Sequence, residues 1–170
     1  MIIAYRNFQD REYSVTKEAL ENGGMEVKIA SNQKGTAAGV FGLKAVVDLP
    51  VTEVSPADFN AVVFIGGGGA SDYLDNEISY NLIKETVRQN KILAAICISP
   101  VILAKAGVLK NKKATVWWNP LDKEPIKILE ENGAEFIDKN VVSDGKIITA
   151  NGPAAAKEFG EKIIEMIETN

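Results

Sequence analysis

The sequence predicts an α/β fold: a single-domain three-layer α/β/α sandwich around a mainly parallel sheet. Three observations carry this. Short apolar runs of strand length alternate with amphipathic helical stretches through most of the 170 residues. Residues 1–30 have the size of one right-handed β-α-β crossover. The runs "AVVFI" and "ILAAI" are apolar throughout, as expected of strands covered on both faces. No repeat, low-complexity tract or linker interrupts the pattern, so residues 1–170 read as one domain of ordinary size.

Taken in order, "MIIAY" (1–5) is a β-rich run and predicts the first strand. Residues 10–22 put Tyr13, Val15, Thr16, Ala19 and Leu20 on one helical face, and Gly23-Gly24 stops the helix. "MEVKIA" (25–30) alternates and predicts a second strand. Segment 35–55 is glycine-rich at its start and then carries "VFG" and "KAVVDL", the pattern of a small hairpin. "AVVFI" (61–65) is a buried strand that runs into four glycines. Residues 76–89 carry Ile78, Leu82, Ile83 and Val87 at helical spacing. "KILAAI" (91–96) is another buried strand, and Pro100 begins a helix that Gly107 closes. "KATVWW" (113–118) predicts a strand and 120–132 a helix ended by Asn132-Gly133. "AEFID", "NVVSD" and "KIITAN" predict short strands, with "SDG" (143–145) as a hairpin turn. A helix over 152–167 closes the chain, with Phe159, Ile163, Ile164 and Ile167 inward.

Composition narrows the function classes. A net charge of −4 leaves no basic stripe to neutralise phosphates, which argues against nucleic acid. No run approaches the ~18 apolar residues of a membrane helix, and the first residues lack the basic region of a signal peptide. The expectation is therefore a protein without membrane partners. A single cysteine makes no internal disulfide and fits a reducing, cytoplasmic setting. Histidine is absent. That removes the commonest general base at neutral pH and the commonest metal ligand, and leaves carboxylates, one thiol, lysines and backbone.

The only thiol, Cys97, stands where "ILAAI" ends and a helix begins. In open α/β sheets ligands bind beyond the carboxyl ends of the strands. Ala95 and Ser99 are small, as a sharp strand-to-helix turn around a nucleophile requires. Ser99 suits the N-cap and Pro100 the first helical turn, so the thiol is expected near a helix N-terminus that favours thiolate. The competing reading is a small buried apolar residue. The placement and the flanks favour the functional one.

Gly66–Gly69 admit three readings. A phosphate cradle lacks the Lys-Ser/Thr pair of a P-loop. A tight turn is the plain alternative. The third fits better: glycines at a neighbouring strand end bring backbone N–H groups close to the thiol and, with the Ile98 amide, form an oxyanion hole.

These residues resemble the ThiJ/PfpI superfamily over essentially the whole chain. The resemblance rests on "VVFIGGGG", on "AAICISPVILAKAGVLKNKKAT" and on "VVSDGKIITANGPAAAKEFGEKIIEMI". It implies a flavodoxin-like, class I glutamine-amidotransferase-like fold with a nucleophile elbow at Cys97. By position it makes Cys97 the nucleophile and Glu12 the glutamate that hydrogen-bonds the thiol. Beside a thiolate in a semi-buried pocket, Glu12 is expected to keep its proton. The backbone donors are Gly67 and Ile98, and Gly68 and Asn119 are candidate substrate contacts. The resemblance also implies a homodimer or larger homo-oligomer, for which "VFG" and "WW" offer apolar surface.

Four positions depart from the family pattern. Ser99 replaces glycine, and Ile65 replaces proline. Ile98 and Asn119 stand where branches of the family carry histidine. Peptidase chemistry needs a base for the nucleophile and an acid for the amine, and no Cys-His pair exists here. Two functions lead, and an intracellular cysteine peptidase is a third reading that the absence of histidine disfavours. One is cofactor-independent, metal-free glyoxalase or deglycase chemistry on a small reactive carbonyl compound, with Cys97 adding to the aldehyde and Glu12 moving the proton. The other is a redox or stress response through oxidation of Cys97.

Overall fold

The computed structural model describes residues 1–169. The strands are β1 (Ile2–Ile3), β2 (Arg6–Phe8), β3 (Ala30–Ser31), β4 (Gly35–Gly39), β5 (Lys44–Val47), β6 (Leu49–Pro50), β7 (Ala61–Phe64), β8 (Ile92–Ile96), β9 (Lys113–Ala114), β10 (Glu135–Phe136), β11 (Val141–Asp144) and β12 (Ile147–Ala150). The helices are α1 (Asp10–Asn22), α2 (Gly68–Tyr73), α3 (Glu77–Arg88), α4 (Pro100–Lys105), α5 (Glu124–Glu131) and α6 (Ala156–Glu168). The main sheet runs β11-β12-β8-β7-β1-β3-β6. Every pairing in it is parallel except β11 with β12. This is the predicted mixed α/β sandwich.

Strand alternation divides the core into two layers. On β7 and β8, Val62, Phe64, Leu93 and Ala95 face one way, toward Leu82 and Ile83 of α3, Ile102 of α4 and Leu129 of α5. Val63, Ile65, Ala94 and Ile96 face the other way, toward Leu20 of α1 and Phe159 and Ile163 of α6. Both sheet faces are therefore dry, which is why these strands read as unbroken apolar runs. Helix α3 begins where Asn76 Oδ1 accepts from the Ile78 and Ser79 amides, at 3.0 and 3.3 Å. None of the helices among the described residues is long and apolar enough to cross a membrane.

Three segments differ from their predicted form. "MEVKIA" pairs only from Ala30, and 25–29 runs outside the ladder. "KATVWW" pairs only at Lys113–Ala114, parallel to β10. The four glycines are not all turn, because Gly68 and Gly69 open α2. The predicted hairpin over 35–55 is β4 with β5, antiparallel from Gly35↔Val47 to Ala38↔Lys44. The predicted helix over 120–132 starts later, at Glu124.

Candidate active site

The site forms where the ends of β7 and β8 meet the start of α1. Cys97 follows the last residue of β8 with φ at +64°, in the left-handed region that costs a non-glycine residue on the order of 1–3 kcal/mol. Its backbone is clamped on both sides: Cys97 N–H donates to Ala150 O at 2.9 Å, and Cys97 O accepts from the Trp117 amide at 2.8 Å. The turn thus places its positive φ at the cysteine itself. Ser99, at φ −64°, does not need to be glycine. Ser99 occupies the N-cap position but does not cap. Its buried hydroxyl instead donates to Ile65 O at 2.9 Å, tying the elbow to the end of β7.

Glu12 is fully buried in the first turn of α1. The Gln9 side chain caps that turn by accepting from the Glu12 amide at 2.9 Å, and the Gln9 amide donates to Gly66 O at 3.0 Å. Asn7 and Gly67, at φ +59° and +100°, let the 7–9 segment and the glycine run lie against each other. A β-carbon on Gly67 would stand 2.5 Å from Asn7 O. The result puts Glu12 Oε2 3.1 Å from the Gly66 amide, which donates to it. Glu12 Oε1 is buried and lacks a hydrogen-bond partner of good geometry.

Four of the predicted site residues converge. The Gly67 and Ile98 amides and the Glu12 carboxyl all act on the Cys97 sulfur, the two amides favouring its charged form and the carboxyl opposing it. Burial pushes the thiol well above the usual range, and the neighbouring Glu12 charge pushes it further, against the pull of the two amides. Burial likewise raises Glu12 from an ordinary 4.5 to about 7, opposed by its hydrogen bonds with Cys97 and Gly66. The helix N-terminus therefore does not leave a free thiolate, as the sequence reading expected. The two groups form a coupled pair in which loss of one proton near neutrality leaves one proton between them.

The other two candidates lie apart from this contact. Gly68 is exposed and has open space where a β-carbon would go. Asn119 spends its side-chain oxygen on a local turn, accepting from the Leu121 and Asp122 amides at 2.8 and 3.1 Å. Trp117 packs on the core layer that holds Cys97, while Trp118 lies beneath the Lys123 ammonium at 5.9 Å. The sequence reading missed Gly66. A β-carbon there would meet Cys97 Cβ at 2.6 Å and Glu12 Oε2 at 2.8 Å. It also missed Ser99 as a tie and Gln9 as the cap of the Glu12 turn. Gly66 opens the glycine run, but nothing local marks it as the member that meets Cys97 and Glu12.

Comparison with known proteins agrees with this fold. The chain is 30% identical to the deglycase PfpI of Pyrococcus furiosus, over 99% of this chain and 98% of that protein. It is 29% identical to a glutathione-independent glyoxalase of Caenorhabditis elegans, over 94% of this chain and 83% of that protein. The crystal structure of a ThiJ/PfpI domain protein from Brachyspira murdochii superposes with a TM-score of 0.93 at 32% identity, covering 99% of this chain and 95% of that one. The DJ-1/PfpI family model matches residues 1–166, and the chain belongs to that family.

Proposed function

We propose that this protein is a cysteine-dependent, cofactor-independent glyoxalase or deglycase acting on small 2-oxoaldehydes. The observation that carries the reading is the Glu12–Cys97 pair, with Glu12 held at about 7 beside the thiol and with two amides directed at the sulfur. A base with a pKa near the working pH is the best compromise between being deprotonated and being able to take a proton. As the sulfur adds to the aldehyde carbon, the thiol proton passes to the Glu12 carboxylate and the carbonyl oxygen becomes the oxyanion of a hemithioacetal. The Gly67 and Ile98 amides favour negative charge at this point. Glu12 returns that proton to the oxyanion and, a carboxylate again, takes the proton from the former aldehyde carbon and delivers it to the adjacent one, while the hydroxyl proton passes from the first oxygen to the second. The resulting 2-hydroxyacyl thioester is hydrolysed by water, releasing the 2-hydroxy acid and the thiol. A deglycase named among the relatives and a glyoxalase named without glutathione support this class of chemistry.

Purified protein incubated with methylglyoxal and no glutathione is expected to form lactate. Turnover no greater than that of Cys97→Ser would sink the reading. A switch based on oxidation of Cys97 fits less well, because a thiol pushed upward holds little of the thiolate that peroxide attacks. Peptidase chemistry lacks a histidine anywhere in the chain. We also infer a homo-oligomer assembled through the β4–β5 hairpin, where Phe41 is 80% and Val46 70% exposed.

A further inference from the structure

Cys97 sits beyond one end of the parallel strands, and the opposite end holds a cavity. At the start of β7, between α1, α6 and the 25–28 segment, lies a chamber of about 360 Å³. Leu20, Met25, Val27, Val63, Ile163 and Ile167 form its apolar wall, and Glu26, Lys28, Asp58 and Asn60 are among the residues that complete the lining. The chamber's origin is visible in the chain: residues 25–29 do not join the ladder, which pairs only from Ala30. Met25 and Val27 stand against the core layer as half-buried walls.

A smaller cleft of about 180 Å³ adjoins it, sharing Asn60 and Ile167. Its lining is of a different kind, with Lys91, Lys146 and Asn90. Lys91 donates to Ala57 O at 3.3 Å and Lys146 to Asn90 O at 3.1 Å. Neither ammonium belongs to an ion pair of the described residues. The acidic side chains nearby, Asp58 and Glu26, line the larger chamber and not this cleft, and Glu26 is paired with Lys28 at 2.7 Å.

We propose that this end of the sheet binds a single-chain alkyl carboxylate, with the chain along the apolar wall of the chamber and the carboxylate between Lys91 and Lys146. The chamber's volume falls in the range of small-molecule sites, about 300–1,000 Å³. Apolar walls give such a ligand its affinity, and two cations without carboxylate partners fix its direction. The lysines are near solvent, so the head group contributes less as salt is raised. The site is remote from the thiol and does not depend on the chemistry assigned to Cys97.

Isothermal titration of the full chain with decanoate, below its aggregation concentration, tests this. Saturable one-to-one binding is expected, with decyltrimethylammonium, which has the same tail and a cationic head, about tenfold or more weaker. The double variant Lys91→Gln/Lys146→Gln changes only surface side chains and is expected to lose a similar factor for decanoate. Ala61→Leu adds bulk to the chamber wall and weakens binding as well. Cys97→Ser retains full affinity. Absence of saturable heat, equal affinity for the two head groups, or loss of binding in Cys97→Ser would overturn the proposal.

Discussion

The Gly66 amide donates to Glu12 Oε2 at 3.1 Å, and a β-carbon added to Gly66 would stand 2.8 Å from that same oxygen and 2.6 Å from Cys97 Cβ. The close approach that makes the hydrogen bond also forbids any side chain. Gly66→Ala is therefore expected to displace both members of the pair. Its cost in stability is about 1–3 kcal/mol, typical of overpacking. Its cost in methylglyoxal turnover is roughly a hundredfold or more, because one misplaced group suffices. Gly68→Ala is the stability control: its β-carbon meets open space at the start of α2, and it should be neutral or stabilising by under about 1 kcal/mol. Thermal unfolding of the two variants separates the outcomes, and equal behaviour would refute the crowding argument.

Glu12 couples stability to pH. Its folded pKa is raised from 4.5 to about 7, so between those values the folded state holds a proton that the unfolded state has lost. The stabilisation is fully present below the unfolded value and disappears as pH rises through about 7. Its size is at most roughly 3 kcal/mol. Glu12→Gln removes the titration. Relative to the wild type, the variant should gain stability between about pH 5 and pH 8 in chemical denaturation. Parallel profiles would show that burial at Glu12 has been misjudged.

The same pair sets the reactivity of the thiol. At mildly alkaline pH Cys97 should alkylate with iodoacetamide more slowly than a free cysteine, since burial and the Glu12 charge both oppose the thiolate. Glu12→Gln removes the second of these causes. It should speed alkylation by a factor of roughly 3–10, even as it abolishes turnover. A variant that alkylates at the wild-type rate would mean that the carboxylate does not act on the sulfur.

The hairpin offers a prediction about assembly. Asp10 accepts from the Phe41 and Leu43 amides at 3.0 and 2.8 Å, so α1 holds the β4–β5 tip in place two residues before Glu12. Phe41→Glu with Val46→Glu is expected to shift the protein to a monomer in light scattering while its unfolding midpoint moves little, because both side chains are exposed. An unchanged mass would rule the hairpin out as the contact.

Periodicity was a good guide wherever packing repeats it. The limits of α1 match the expected Asp10–Asn22, and β7 and β8 match the two apolar runs. It failed at 25–29 and 115–118, where side chains alternate but the backbone makes only separate hydrogen bonds, such as Trp117 N–H to Cys97 O, and no strand ladder. Alternation reports which side chains are buried, and it cannot report whether the neighbouring backbone continues as a ladder. At the site, small flanks and a strand-to-helix change marked Cys97 locally. Glu12 came only from the family resemblance, since a first-turn acid usually faces solvent. Gly66 and Ser99 were invisible as partners because their contacts, with Glu12 and Ile65, are 54 and 34 residues away in sequence.

The two amides directed at the sulfur follow adjacent strands, β7 and β8, whose Val63↔Ala94 and Phe64↔Ala95 register is fixed by the ladder. Interstrand distance in any sheet is about 4.8 Å. The spacing of this notch is thus inherited from backbone pairing, with the Ser99 hydroxyl as its cross-tie to Ile65. Surface loops around the notch are free to diverge and change what enters, while the spacing of its donors stays the same.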